Sequence, residues 1–333
     1  MPLTFATDLR DPLPPPPPGG TVLGMTRVGT GGGAPEGAPC QVIPALLPGS
    51  RRVVVDEVWL GDGPAVDGER SGIRYRRMGD TLFGVLEADE SDFPGSAPLR
   101  AATEAAYLHI FALLAAEGLP HLWRVWNYLA DINGEQDGLE RYRQFNIGRQ
   151  DAFLASGRLA SGNVPAACAI GLAGGPLRIA FLAGRCAAVP VENPRQVSAY
   201  DYPSDYGPRS PTFSRAALVV EGGHVLLFVS GTASIVGHLT VHAGDAAAQA
   251  RESLANIDAV LAAANERLTA GAFRRDDLSY RVYLRHGGDL PIVAAAVGTA
   301  LGGAGVLFVT ADICRADLLV EIEAVGVLAR GGA

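Results

Sequence analysis

The sequence predicts an α+β protein of two similar halves, with mixed sheets that carry helices on one face. Three observations predict it. Segments dense in β-branched residues alternate with stretches of helical periodicity along the whole chain. The order strand, hairpin, helix, strand, helix, strands runs from 51 to 185, and a closely similar order returns from 216 to 328. Helix lengths and strand order match unit by unit, which is the mark of a duplication.

The elements follow in order. Residues 11–50 are rich in Pro and Gly and include the run Pro14 to Pro18. Such a run favours extended polyproline structure, so residues 1–50 are expected to form an arm before the first packed strand. RRVVVDEVWLG (51–61) opens an N-terminal domain over 51–190 as a strand, and IRYRRMGDTLFGVLEA (73–88) is a hairpin turning at Gly79-Asp80. Residues 98–117 form a helix on the spacing of Ala102, Ala105, Ala106, His109, Leu113 and Ala116, and Gly118 stops it. LWRVWNYLADI (122–132) is a strand with Trp123, Val125, Asn127 and Leu129 on one face; 138–156 is a helix, and two strands span 166–185.

A C-terminal domain over 191–333 repeats the pattern. Residues 216–234 are a hairpin turning at Gly222-Gly223, and 244–264 are a helix through Gln249, Ser253, Ile257, Val260 and Leu261. A strand at 278–286, a helix at 289–301 and strands at 306–313 and 318–328 complete it.

Composition limits the function classes. With 48% hydrophobic and 19% charged residues, the chain can bury a sizeable core. A net charge of -8 argues against a nucleic-acid partner, which requires a Lys/Arg surplus, so any anion site is built locally from a few arginines. Uninterrupted apolar stretches of about 18 residues are lacking, and the N-terminus has no basic region leading into an apolar core; neither a membrane partner nor a secretory signal is expected. Cys40, Cys168, Cys186 and Cys314 are scattered without a CxxC pair, which points to a reduced cytoplasm. GTGGG (29–33) lacks the strand and helix of a phosphate loop. His238 and His242 are four apart but not on a clear helix, so no metal is expected.

The helix ARESLANIDAVLAAA (250–264), the strand DLSYRVYLRH (277–286) and the terminal LLVEIEAVGV (318–327) resemble the RidA/YjgF family of small trimeric α+β (chorismate-mutase-like) proteins. In that family the first glutamate of VEIEA lines the ligand cleft, which implies Glu321 here. The family's carboxylate-binding arginine would fall near Gly305, whose missing side chain counts against a plain RidA-type imine deaminase. Four longer segments resemble the chorismatases, a family on a RidA-like core: GLERYRQFNIGR (138–149), VENPRQVSAYDYPSDYGPRSPTFSRA (191–216), VSGTASIVGH (229–238) and ICRADLLVEIE (313–323).

The resemblance implies a cofactor-free enzyme that splits chorismate, a dianion with an enol ether, into pyruvate and a hydroxybenzoate. That cleavage needs a proton on the methylene carbon, for which a carboxylic acid of raised pKa is suited. On a strand Glu321 and Glu323 share a face about 6.5–7 Å apart, while Val320, Ile322 and Ala324 face the core. Pattern alone also allows a solvated face with two carboxylates; the family motif makes Glu321 the acid. In the chorismatases Cys314 together with Gly231 goes with attack by the substrate's own 4-hydroxyl, giving 3-hydroxybenzoate; a branch that also releases 4-hydroxybenzoate stays open. Arg149 and Arg209 are the expected carboxylate partners, with Arg215 and Arg195 as alternates. Tyr202 and Tyr206, with Tyr200, would wall the cleft, and Thr232 is a further donor. A non-catalytic metabolite binder is the other alternative. Monomer and homotrimer are both open.

Overall fold

The computed structural model describes residues 3–9, 20–31, 33, 34, 37–269, 271–302 and 304–329. The run Pro14 to Pro18 lies outside them, as does part of GTGGG. Four helices are present among the described residues: α1 (Pro98–Glu117), α2 (Arg141–Ala155), α3 (Ala246–Asn265) and α4 (Leu290–Leu301).

Two sheets repeat one topology. The first runs Asp312–Ile313, Ala166–Leu172, His121–Ala130, Leu177–Gly184, Thr81–Ala88, Ile73–Met78, Ala65–Arg70. The second runs Val189–Val191, Ala216–Glu221, His224–Ala233, Val320–Ala329, Leu278–Leu284, Gly305–Thr310. In each, the hairpin pair is followed across the sheet by the unit's last strand, then the strand after its first helix, then the strand after its second. The last two pair in parallel and the rest antiparallel. Helices α2 and α4 make the crossovers that parallel pairing requires.

Burial explains the two layers of each half. One face of the first sheet packs Val125, Leu129, Ile179 and Phe181 against Tyr107, Ile110, Phe111 and Phe153 of α1 and α2. The second sheet packs Val320, Ile322, Ala324 and Val282 against Leu254, Ile257 and Val260 of α3 and Val293 and Val297 of α4. The other faces of both sheets share one core, where Trp126, Tyr128 and Cys168 meet Phe228, Tyr283 and Val309.

Several expectations need correction. The N-terminal segment is not merely an arm: Leu3–Thr7, Gly20–Gly29 and Cys40–Ile43 form a four-stranded sheet with Val54–Asp62. Leu23, Val28, Ile43 and Trp59 of that sheet close the shared core from a third side. Proline and glycine density hid strands that contain almost no proline themselves. Trp123 does not share a face with Val125, because the register slips opposite Leu182/Ala183 and turns its indole into the shared core. On α1 the buried stripe runs through Leu99, Ala106, Tyr107, Ile110, Phe111 and Leu114, leaving His109 and Ala116 exposed. That helix is long and apolar enough to cross a bilayer by length and composition, and half of it is buried in the fold.

Helices α1 and α2 touch closely at Gly148, where a Cβ would lie 2.3 Å from the Arg100 carbonyl oxygen. Gly148→Ala should therefore destabilise the protein by about 1–3 kcal/mol in denaturant unfolding, through overpacking at this crossing.

Candidate active site

The seam between the two halves is a strand-to-strand junction with a bulge in it. Pairing of His224–Ala233 with Val320–Ala329 shifts register between Val229 and Thr232, so Ser230 and Gly231 stand out of the ladder. Ser230 uses this freedom to fasten the first half. Its Oγ accepts from Ala167 N at 2.9 Å and donates to Ser214 O at 2.6 Å. Ser214 in turn donates from its backbone N to Pro165 O and from its Oγ to Val164 O, each at 3.0 Å. Thr232 closes the bulge by donating to Ser230 O at 2.7 Å.

Beside this seam lies a cavity of about 430 Å³, within the usual range for a small-molecule site. Glu321 forms its floor, 4% exposed and opposite Ala233 in the ladder. Gly231 lies against it: a Cβ there would sit 1.9 Å from Glu321 Oε1. Cys314 Sγ is 4.0 Å from Glu321 Oε2. Burial, then the negative charge of Glu323, pushes the Glu321 carboxyl up to about 8, against the pull of Arg124 and Arg215. At neutral pH it carries a proton. Burial likewise pushes the Cys314 thiol up to about 12, so it remains an uncharged S–H and not a thiolate nucleophile.

Arginines surround the cavity above this acid. Arg149 comes from α2, 2% exposed, stacked 5.0 Å from the Phe145 ring and donating to Asn146 Oδ1 at 2.9 Å. Arg215, 4% exposed, donates to Tyr202 Oη at 2.7 Å and to Val197 O at 3.0 Å. Arg315 lies over the rings of Tyr206 and Tyr202 at 4.1 and 5.2 Å. Arg149 Nε, Arg215 Nε and Arg315 Nη2 are buried with no hydrogen-bond partner. Arg149, Arg215 and Arg315 all line the cavity, and guanidinium groups grouped there suit an anionic ligand. Tyr142, Tyr202, Tyr206 and Phe213 supply aromatic walls.

A proton-bearing carboxyl below unsatisfied guanidiniums is suited to protonating a carbon of a polyanionic ligand. The family described as "Chorismatase FkbO/Hyg5-like, N-terminal" matches residues 57–183. Over 281 residues the chain is 40% identical to a 3-hydroxybenzoate synthase of Streptomyces hygroscopicus, covering 81% of this chain and 80% of that one. It is 42% identical over 277 residues to a chorismatase of Streptomyces rapamycinicus, covering 81% of each. The chain belongs to the chorismatase family. A crystal structure of a family member at 1.08 Å superposes with a TM-score of 0.84 at 34% identity, covering 97% of this chain and 98% of that one.

The fold thus brings together Glu321, Cys314, Gly231, Arg149, Arg215, Tyr202 and Tyr206, all of which line the cavity. Four expected residues stand elsewhere, among them Tyr200, which does not line the cavity. Arg209 does not line it: its side chain is 46% exposed and reaches Asp151 on α2 at 3.4 Å. Thr232 is spent on the bulge. Arg195 pairs with Glu252 on α3 at 2.6 Å. Arg315 and Tyr142 were missed. Both had a signal: Arg315 adjoins Cys314 in the chain, and Tyr142 sits seven residues before Arg149, on the same helical face.

The raised pKa of Glu321 sets a stability trend. The folded state keeps the Glu321 proton up to about 8, whereas the unfolded chain releases it near 4.5. The folded state therefore binds more protons between these values, and this carboxyl makes stability fall as pH rises through that window. Glu321→Gln should flatten the pH dependence of the unfolding midpoint there and raise the midpoint at about pH 8.

Proposed function

We propose that this protein converts chorismate to 3-hydroxybenzoate and pyruvate, with Glu321 as the proton donor. The observation that carries the reading is the buried, protonated Glu321 in a cavity lined also by Arg149, Arg215 and Arg315. Arg149, Arg215 and Arg315 take the two substrate carboxylates, and the tyrosines wall the ring and the enolpyruvyl arm. Arg209 and Thr232 make no direct substrate contact in this reading.

Glu321 protonates the methylene carbon of the enolpyruvyl group, the C3–O bond breaks, and pyruvate leaves. The 4-hydroxyl oxygen attacks C3 and returns its proton to the Glu321 carboxylate, forming a ring epoxide. The C4–O bond opens, C3 loses its hydrogen as a proton, and the oxygen is protonated to give the aromatic phenol. Two protons are taken up and two released, so atoms balance without water or a co-reactant. Gly231 leaves room for the Glu321 carboxyl at the point where the hydroxyl proton must return. The uncharged Cys314 thiol keeps that space free of a competing negative charge.

We further propose that the two repeated units are separate domains over 51–190 and 191–333, with the reaction at their seam. The four cysteines are free thiols and fit a reducing compartment such as the cytoplasm.

Incubation with chorismate should yield equimolar pyruvate and 3-hydroxybenzoate, and the same chromatogram reports any 4-hydroxybenzoate; absence of pyruvate defeats the reading. Glu321→Gln should lower kcat by about 10²–10⁴-fold, the usual contribution of a positioned proton donor. Wild-type activity should be lost as pH rises through about 8, when the acid gives up its proton. In ¹⁸O-water the ring hydroxyl should carry no label. Gly231→Ala should lower kcat by displacing the Glu321 carboxyl, with a smaller change in KM.

A further inference from the structure

Glu323 does not reach the cavity, and its surroundings are more elaborate than a second carboxylate needs. It is 5% exposed. Its Oε2 accepts from Arg124 Nη2, and its Oε1 accepts from Arg281 Nη1 at 2.8 Å and from Tyr283 Oη at 3.0 Å. Arg281 extends the chain: Nη1 donates to Tyr128 Oη at 2.6 Å, and Nη2 bridges to Glu57. Tyr128 and Tyr283 join at 2.6 Å. Arg124 comes from the first sheet, Arg281 and Glu323 from the second, and Glu57 from the N-terminal sheet. All four ions are buried.

We infer that this quartet is a positioning device that holds Glu321 in its protonated form, and that Glu57 of the N-terminal sheet is part of it. The inference rests on Glu321 being the proton donor. Its basis is a charge count among buried side chains. Two guanidiniums and two carboxylates sum to zero, with every carboxylate charge matched inside the quartet. An ionised Glu321 would be a third carboxylate beside a balanced set, with Arg215 facing it from the cavity side. Arg149 and Arg315 also line the cavity beyond Arg215; the other titratable neighbours are Cys168 from the adjoining strand, Cys314 before its own strand, Tyr142 from α2 and Tyr283 across the ladder. Burial raises each of these four above its ordinary value, so they stay neutral. Burial also pushes the Glu57 carboxyl up, and Arg281 beside it pulls it back.

Opposite changes of charge must then act oppositely. Removing a carboxylate leaves the quartet positive and makes Glu321 a stronger acid; removing a guanidinium makes it a weaker one. Glu323→Gln and Arg124→Gln, verified as folded by circular dichroism, are compared with wild type in kcat/KM for chorismate across the alkaline limb. Glu323→Gln should move that limb down by about one pH unit or more, roughly a tenfold loss at a fixed alkaline pH. Arg124→Gln should move it up. Glu57→Gln, in another sheet, should move it down by less, and it serves as the folded variant if the nearer ones do not fold. Independently of turnover, the Glu321 carboxyl band in infrared spectra, assigned against Glu321→Gln, should titrate with the same shifts. Limbs and bands that stay at the wild-type position, or that all move one way, overturn the inference. A wild type that makes no pyruvate would instead defeat the chorismatase reading, and the infrared titration would still decide this one.

Discussion

The site depends on the one-residue slip that sets Ser230 and Gly231 opposite the single residue Glu323. Without it, the strand carrying Gly231 would continue its ladder, and the first half would lose the Ser230 link that adds to the pairing of Asp312–Ile313 with Ala166–Leu172. With it, one serine hydroxyl receives a backbone N–H from one half and donates to a backbone carbonyl of the segment entering the other. Net hydrogen bonds of this kind contribute only about 1 kcal/mol each, but buried and unmade they cost more, so the junction is well specified. The same slip presents a residue without a side chain to Glu321, and the space so gained is the reacting end of the cavity.

Duplication explains why the cavity lies there. Each half covers one sheet face with helices and leaves the other to be buried, and the two bare faces cannot close fully on each other. The N-terminal sheet fills the third side with Leu23, Val28, Ile43 and Trp59. What remains open is the edge where Ala166–Leu172 meets the bulge, and it is lined from both units. Helix α2 of the first half delivers Arg149 across that edge, while the last strand of the second delivers Glu321. The second half alone holds Glu321, Arg215 and Arg315, and the set of three arginines is complete only when the first half adds Arg149.

Much of this was legible in the chain. Element types after residue 50 followed from periodicity and from Gly pairs at the turns, and Glu321 and Glu323 were placed on one face by strand alternation alone. The resemblance in ICRADLLVEIE supplied Cys314 and the role of the acid. What stayed hidden depended on tertiary geometry. The strand Gly20–Gly29 draws its stability from pairing with Val54–Asp62, and Cys40–Ile43 from pairing with Gly20–Gly29, so local composition misled. A bulge leaves little trace in sequence, and Thr232 looked like a donor to ligand where it is a donor to the bulge. Arg209 and Arg315 are equally plausible by residue type. The neighbours decide between them: Arg209 finds Asp151 at the surface, and Arg315 finds two tyrosine rings over the cavity.

A chain of net charge -8 that binds a dianion must overcome its own field locally. Burying arginines without matched carboxylates does so, at a cost in stability that the ligand relieves on binding. Glu321 carries the complementary cost, since a carboxyl kept neutral to about 8 weakens the fold as pH rises. The two demands support each other. In the proposed complex the substrate's carboxylates neutralise Arg215 and its neighbours, so the pull that lowers the pKa of Glu321 weakens and its proton is held more firmly. An acid set by desolvation and fixed charge is thus most fully protonated in the complex where its proton is used, which is the requirement of a cofactor-free cleavage at neutral pH.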